Sequence, residues 1–276
     1  MNCKDYPEYL IYEDVYETPK DKIGKPIFPS LKFYANALRI VLYSNLQAKR
    51  RIYHRFNWVA SSLDILHSIE RSGAKVRVEG IKNISSFEGP AVFASNHMST
   101  LETFLFPSFI QPQKPVIYVI KKELATYPLF GPVARARFPI VVGRSNPRED
   151  LQIVMNEGSE NLKEGKSIII FPQRTRSDYF KPDEFNSLGV KLAKRNNVPV
   201  IPTAIYTKAW GTGKLIKDIG KIDPKEDVHM SFGKPIYIKG SGSDEHQQVI
   251  DYIANKFKEW GKEDSIIWAK TTVNFN

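Results

Sequence analysis

Apolar side chains recur three or four residues apart from Ser30 to about Arg55, at Leu31, Tyr34, Ala35, Leu38, Leu42 and Leu46. That spacing predicts a helix opened by a cap-like serine. At about 100° per residue, Lys32, Arg39 and Arg50 fall on one line of this helix and give it a basic edge. Phe33, Ile40 and Tyr43 add apolar groups on other sides. The pattern therefore fits either a helix packed on its own domain or one lying in a membrane interface. A second helical stretch, about Trp58 to Ser72 on Leu63, Leu66 and Ile69, completes an N-terminal pair.

After Gly73 short apolar runs alternate with helical segments. Strands are predicted at Lys75–Val78, Ala91–Ala94, Val116–Ile120, Pro139–Val142, Ser167–Phe171, Val200–Tyr206, His229–Phe232 and Ile236–Ile238. Helices are predicted at Thr100–Ser108, Lys121–Arg135, Pro147–Lys163, Glu184–Arg195 and Ser243–Trp260. Runs such as Ile168 to Phe171 are apolar throughout, as strands covered on both faces are. The fold class read from this alternation is α/β, a mixed and mainly parallel sheet flanked by helices with the helical pair before it. The chain divides into an arm over 1–29 with little structure of its own, a basic helical pair over 30–73, an α/β domain over 74–262 and an unassigned tail over 263–276.

Composition narrows the classes. The chain has 276 residues with 42% hydrophobic side chains, enough to build a large core without staples. A single cysteine, Cys3, excludes an intrachain disulfide scaffold and a cysteine-based zinc cluster, and favours a reducing cytosolic compartment. No apolar run approaches the roughly 18 residues of a spanning helix. The N-terminus has no apolar core of a signal peptide, which argues against secretion. The formal net charge is +10, and residues 32–77 carry nine Lys and Arg against two acids, a net of +7. Such a segment points to a phosphate-bearing partner: a membrane surface, a nucleic acid or an anionic ligand.

Counting removes several common sites. Gly211-Thr-Gly-Lys214 ends like a P-loop, but that motif requires glycine where Lys208 stands. Gly165 to Ile169 lacks the last glycine of a nucleophile elbow. His54, His67, His229 and His246 are scattered without metal-ligand spacing, so no metal is expected.

His97 is different, because it closes a predicted buried strand and precedes a predicted helix, and strand ends are where chemistry collects in α/β folds. Glu102 follows five residues later. On one helix that separation places two side chains about 140° apart, so they meet only if His97 lies in the turn before the helix. The carboxylate would then fix the histidine tautomer, leaving the other ring nitrogen for a substrate hydroxyl. Ser99-Thr-Leu-Glu102 is equally a capping box, in which Glu102 serves the helix end alone.

Asn96-His97 with Glu102, then Phe171-Pro-Gln-Arg-Thr-Arg-Ser177, then Val198-Pro-Val-Ile-Pro-Thr-Ala-Ile205, resemble in order and spacing the glycerolipid acyltransferase family, which includes lysophosphatidic acid acyltransferases. Lys121, Leu124, Gly131 and Arg144 are similar in spacing to that family's acceptor-phosphate motif. The four blocks span residues 90–206. The resemblance implies an O-acyltransferase that moves a fatty acyl group from acyl-CoA or acyl carrier protein to a hydroxyl of a lysophospholipid-type acceptor such as 1-acylglycerol-3-phosphate. His97 would be the general base and Glu102 its orienter. Lys121, Leu124, Gly131, Arg144, Gln173, Arg174, Thr175 and Arg176 would form the acceptor site, with Lys121, Arg144 and Arg176 on the anionic group. The thioester carries its own activation, so no covalent enzyme intermediate and no cofactor is implied.

Three positions depart from the family pattern. Glu102 replaces the usual Asp, Gln173-Arg174 replaces Glu-Gly, and Gly143 stands where Asp is frequent. The last two make the loops more positive and imply a different or more anionic acceptor. The expectation is a peripheral or monotopic enzyme on the cytoplasmic face of a membrane, with the +7 segment drawn to anionic lipid at about 1 kcal/mol per well-placed cation. The alternative is an inactive homologue that binds anionic lipid or acyl chains. Nucleic-acid binding ranks last, since no recognition module is visible. Oligomeric state is left open.

Overall fold

The computed structural model describes residues 13–173, 175–213 and 217–268. Its strands are β1 (Val15–Glu17), β2 (Val76–Glu79), β3 (Val92–Ser95), β4 (Val116–Lys121), β5 (Ile140–Val142), β6 (Ser167–Ile170), β7 (Val200–Tyr206) and β8 (Val228–Phe232). They form one sheet in the order β1-β2-β8-β7-β3-β6-β4-β5. Only β1–β2 and β7–β8 pair antiparallel; the other pairs are parallel, which is the mixed, mainly parallel sheet expected. The central strands β3, β6 and β7 are buried along their whole length. That is why they read as unbroken apolar runs.

The helices are α1 (Pro29–Lys49), α2 (Arg55–Arg71), α3 (Leu101–Ile110), α4 (Lys122–Thr126), α5 (Gly131–Arg135), α6 (Pro147–Lys163), α7 (Leu188–Asn196) and α8 (Ser243–Glu259). The N-terminal pair shares the hydrophobic core of the sheet: Phe33, Trp58, Ile65 and Ile69 belong to one cluster with Phe93, Ile169 and Ile205. Among the described residues no helix is long and apolar enough to cross a membrane.

Several boundaries differ from the expected ones for local reasons. The stretch read as one helix over Lys121–Arg135 splits into α4 and α5, because Pro128 forces Tyr127 into extended backbone (φ −56°, ψ 132°). The helix expected from Glu184 begins at Leu188, after a 3₁₀ turn at Pro182–Glu184 and an extended Phe185. The first helix ends at Lys49 instead of continuing to Arg55, and Arg51 adopts a left-handed conformation (φ 59°). Ile236–Ile238 is not a strand. Pro235 has no N–H to donate, and Ile236 makes an isolated bridge to Val200 through two backbone bonds of 2.9 and 2.8 Å. Within the segment expected to lack structure, β1 adds an edge strand to β2.

The face of α1 is inverted relative to a core helix. It buries Phe33, Ala37, Ser44 and Asn45, while Leu31 is 69% and Leu38 52% exposed, and Leu42 and Leu46 are nearly half exposed. Polar Asn45 turns inward because its amide donates to the Leu129 carbonyl. The leucine stripe is therefore not covered by the domain.

Strands β3, β4, β5, β6 and β7 all run the same way, so their C-terminal ends meet along one edge of the sheet. That edge carries His97 after β3, Lys121 at the end of β4, Arg144 after β5, Phe171 after β6 and Thr207 after β7.

Candidate active site

The turn between β3 and α3 is held from several sides. Asn96, fully buried, donates to the Ile205 carbonyl and accepts from the Ile205 N–H, both at 2.9 Å, and so ties the end of β3 to β7. The His97 N–H donates to Gln173 Oε1 at 2.9 Å, and its carbonyl accepts from the Ser177 N–H at 3.0 Å. The imidazole stacks on Phe171 with ring centroids 4.0 Å apart. Behind Phe171 lies Tyr118, whose hydroxyl burial pushes well up in pKa, with the charge of Glu102 adding to the shift. Replacing Asn96 with alanine orphans both Ile205 backbone groups; at about 1–3 kcal/mol for each buried unsatisfied group, a stability loss of about 2–6 kcal/mol is expected by urea unfolding.

Glu102, in the first turn of α3, is fully buried, while the His97 side chain is 17% exposed. Glu102 Oε1 lies 2.8 Å from His97 Nδ1 and also accepts the Met98 N–H at 2.8 Å and the Ser99 N–H at 2.9 Å. Oε2 accepts from the hydroxyls of Ser99 at 3.0 Å and Thr207 at 2.8 Å. Ser99 Oγ in turn accepts the Leu101 N–H at 3.0 Å, capping the helix. The two sequence readings of Glu102 thus describe one carboxylate: it satisfies the amides at the helix entrance and holds the histidine ring. Burial alone raises its pKa, but the hydrogen bond and charge of His97, the backbone amide and the Thr207 hydroxyl outweigh burial and hold it below the ordinary carboxylate value. With Nδ1 engaged, Nε2 is the ring nitrogen left for a substrate.

The cations gather at the same edge. Arg176 pairs with Asp218 and donates to the Thr100 hydroxyl. Lys121 is pushed down in pKa by burial and then by the positive charges of Arg144 and Arg176, which places the three within electrostatic reach of one another. Arg144 sits in a left-handed turn (φ 63°) fixed by Asp150, whose carboxylate accepts the N–H groups of Gly143 and Arg144 at 2.9 Å each. Gly131 opens α5 where an added Cβ would come within 2.6 Å of the Ala125 carbonyl oxygen, so it closes the α4–α5 corner by packing. Leu124 is half-buried on α4, and Thr175 is exposed. Gln173 is buried and braces the His97 turn. Arg174 lies outside the described residues. Sequence reasoning gave no role to Phe171, Thr207 or Asp218. A strand-end position marks Phe171 and Thr207, whereas nothing local marks Asp218. Among the described residues no group of His, Cys, Asp and Glu could hold a metal ion.

The sequence model of the acyltransferase family matches residues 75–206, the stretch that carries the His97–Glu102 pair and the cations. Over that stretch the chain is similar to the acyltransferase family. A 1-acyl-sn-glycerol-3-phosphate acyltransferase of Pseudomonas aeruginosa is 34% identical over 157 residues, 56% of this chain and 58% of that protein. The chloroplastic 1-acyl-sn-glycerol-3-phosphate acyltransferase BAT2 of Brassica napus is 28% identical over 76% of this chain and 56% of its own length. The chain thus spans a little over half the length of these two curated relatives. The crystal structure of the 1-acyl-sn-glycerophosphate (LPA) acyltransferase of Thermotoga maritima has the same fold, with a TM-score of 0.59 at 24% identity over 84% of this chain and 95% of that one. His97, Lys121, Arg144 and Phe171, from three separate blocks, follow or close strands that end at one edge of the sheet.

Proposed function

We propose that the protein transfers a fatty acyl group from an acyl thioester, acyl-CoA or acyl carrier protein, to a hydroxyl of a lysophospholipid-type acceptor such as 1-acylglycerol-3-phosphate, the acceptor in its relatives' names. The observation that carries this is the 2.8 Å contact of His97 Nδ1 with a fully buried Glu102, beside three cations. His97 Nε2 takes the proton of the acceptor hydroxyl as its oxygen attacks the thioester carbonyl. Collapse of the tetrahedral intermediate breaks the carbon–sulfur bond. The departing thiolate recovers the proton from His97, so an ester and a free thiol are the products. Lys121, Arg144 and Arg176 hold the acceptor's phosphate through charge-assisted bonds. The test is incubation of the purified protein with labelled acyl-CoA or acyl carrier protein and a panel of lysolipids. A labelled diacyl product supports the reading, and no product from any pair favours an inactive lipid-binding homologue.

The proposed place of work is the cytoplasmic face of a membrane, on which α1 rests without crossing. Its support is the exposed leucine stripe flanked by exposed Lys32, Arg39, Lys49 and Arg50. Replacing Leu31 and Leu38 together with aspartate is expected to weaken binding to vesicles containing phosphatidylglycerol by at least about tenfold, since each large apolar side chain contributes about 1.5–3 kcal/mol when buried. Co-sedimentation measures it.

A further inference from the structure

Arg176 is already occupied. Its guanidinium pairs with the Asp218 carboxylate and donates to the Thr100 hydroxyl, and that hydroxyl in turn donates to Asp218 Oδ1 at 3.1 Å. Asp218 and Glu123 are the two carboxylates that oppose the cations acting on Lys121. A carboxylate therefore stands inside the cationic cluster, presenting to Arg176 and Thr100 the kind of oxygen a phosphate would present.

We propose that Asp218 is a resident counter-ion of the acceptor site, and that an acceptor's phosphate must displace it from Arg176 and Thr100, so that Asp218 sets acceptor affinity. The inference rests on the acyltransferase reading for its acceptor. Asp218 lies on the connection between β7 and β8, and the chain around it is tied to α1: the Tyr34 hydroxyl donates to the Gly220 carbonyl and the Ile222 N–H donates to Ser30 Oγ at 3.0 Å. Trp210, at the start of this connection, packs edge-on against Phe33 with centroids 4.8 Å apart. The carboxylate is thus delivered over Arg176 by contacts made elsewhere, and displacing it opens no core packing. Arg176 and Asp218 are 24% and 36% exposed, and a pair so hydrated is weak enough for a phosphate to replace.

Isothermal titration of the full chain with sn-glycerol 3-phosphate and with inorganic phosphate tests this, on wild type, Asp218→Asn, Asp218→Ser and the remote control Asp251→Asn. Both Asp218 variants should bind about fivefold more tightly, the size of a weak exposed pair. Asp251→Asn should stay within about twofold of wild type, a bound set by the screening of distant surface charge. In acyl transfer the acceptor KM should fall with kcat little changed. Unchanged or weaker phosphate binding in both Asp218 variants overturns the proposal and makes Asp218 a positioning partner of Arg176 instead. Tighter binding in a protein that transfers no acyl group from any donor leaves the counter-ion standing and sinks the acyltransferase reading.

Discussion

Replacing His97 with alanine is expected to lower kcat/KM for acyl transfer by about 10²–10⁴-fold, the usual contribution of a positioned general base. The fold should survive, because His97 enters the architecture mainly through its backbone. Its N–H and carbonyl bonds to Gln173 and Ser177 do not depend on the imidazole. Glu102 keeps its acceptor contacts with the Met98 and Ser99 amides and the Thr207 hydroxyl when the ring is gone. The ring does stack on Phe171. That contact is worth about 0.5–1.5 kcal/mol, so Tm should fall by no more than about 5 °C in a chain of this size. Binding of sn-glycerol 3-phosphate should be unchanged, since the cations are separate from the base. Activity within tenfold of wild type in a folded variant would falsify His97 as the base.

The sheet and the edge that carries His97 were legible because they depend on local pattern. Runs such as Ser167 to Phe171 and Val200 to Tyr206 are apolar throughout, and a residue just past such a run, like His97, necessarily lies at a strand end. The break between α4 and α5 was written in Pro128 but masked by helical residues on either side of it. The exposure of the α1 leucines was not legible: periodicity identifies a stripe without saying whether the domain or a membrane covers it. What the sequence hid altogether is long-range. Thr207 reaches Glu102 across 105 positions, and the Asp218 contact with Thr100 spans 118. No spacing rule reports such pairs. The capping box and the catalytic pair looked like rivals because each was read as claiming the whole of Glu102, whereas a carboxylate has two oxygens and about four lone-pair sites to share.

That sharing gives the Glu102 substitutions their size. Glu102→Ala leaves the Met98 and Ser99 amides and the Thr207 hydroxyl without their buried acceptor, and frees the His97 ring to turn. Removing one member of such a buried polar set costs about 3–5 kcal/mol, so Tm should drop by about 10 °C and activity should fall with it. His97→Ala is expected to lose activity with little loss of stability, and the contrast separates the base from the group that positions it. Acid titration supplies a second readout. Because the folded protein holds Glu102 below its ordinary value, its ionised form contributes stability that is fully present above the unfolded pKa of about 4.3 and is lost as pH falls through the folded value. Glu102→Gln has no such proton to take up. Its Tm should therefore be lower than wild type at pH 7, and the two should converge as pH falls below about 4. Parallel Tm profiles across the acid range would show that Glu102 is not held low, and its hold on His97 would then have to come from shape alone.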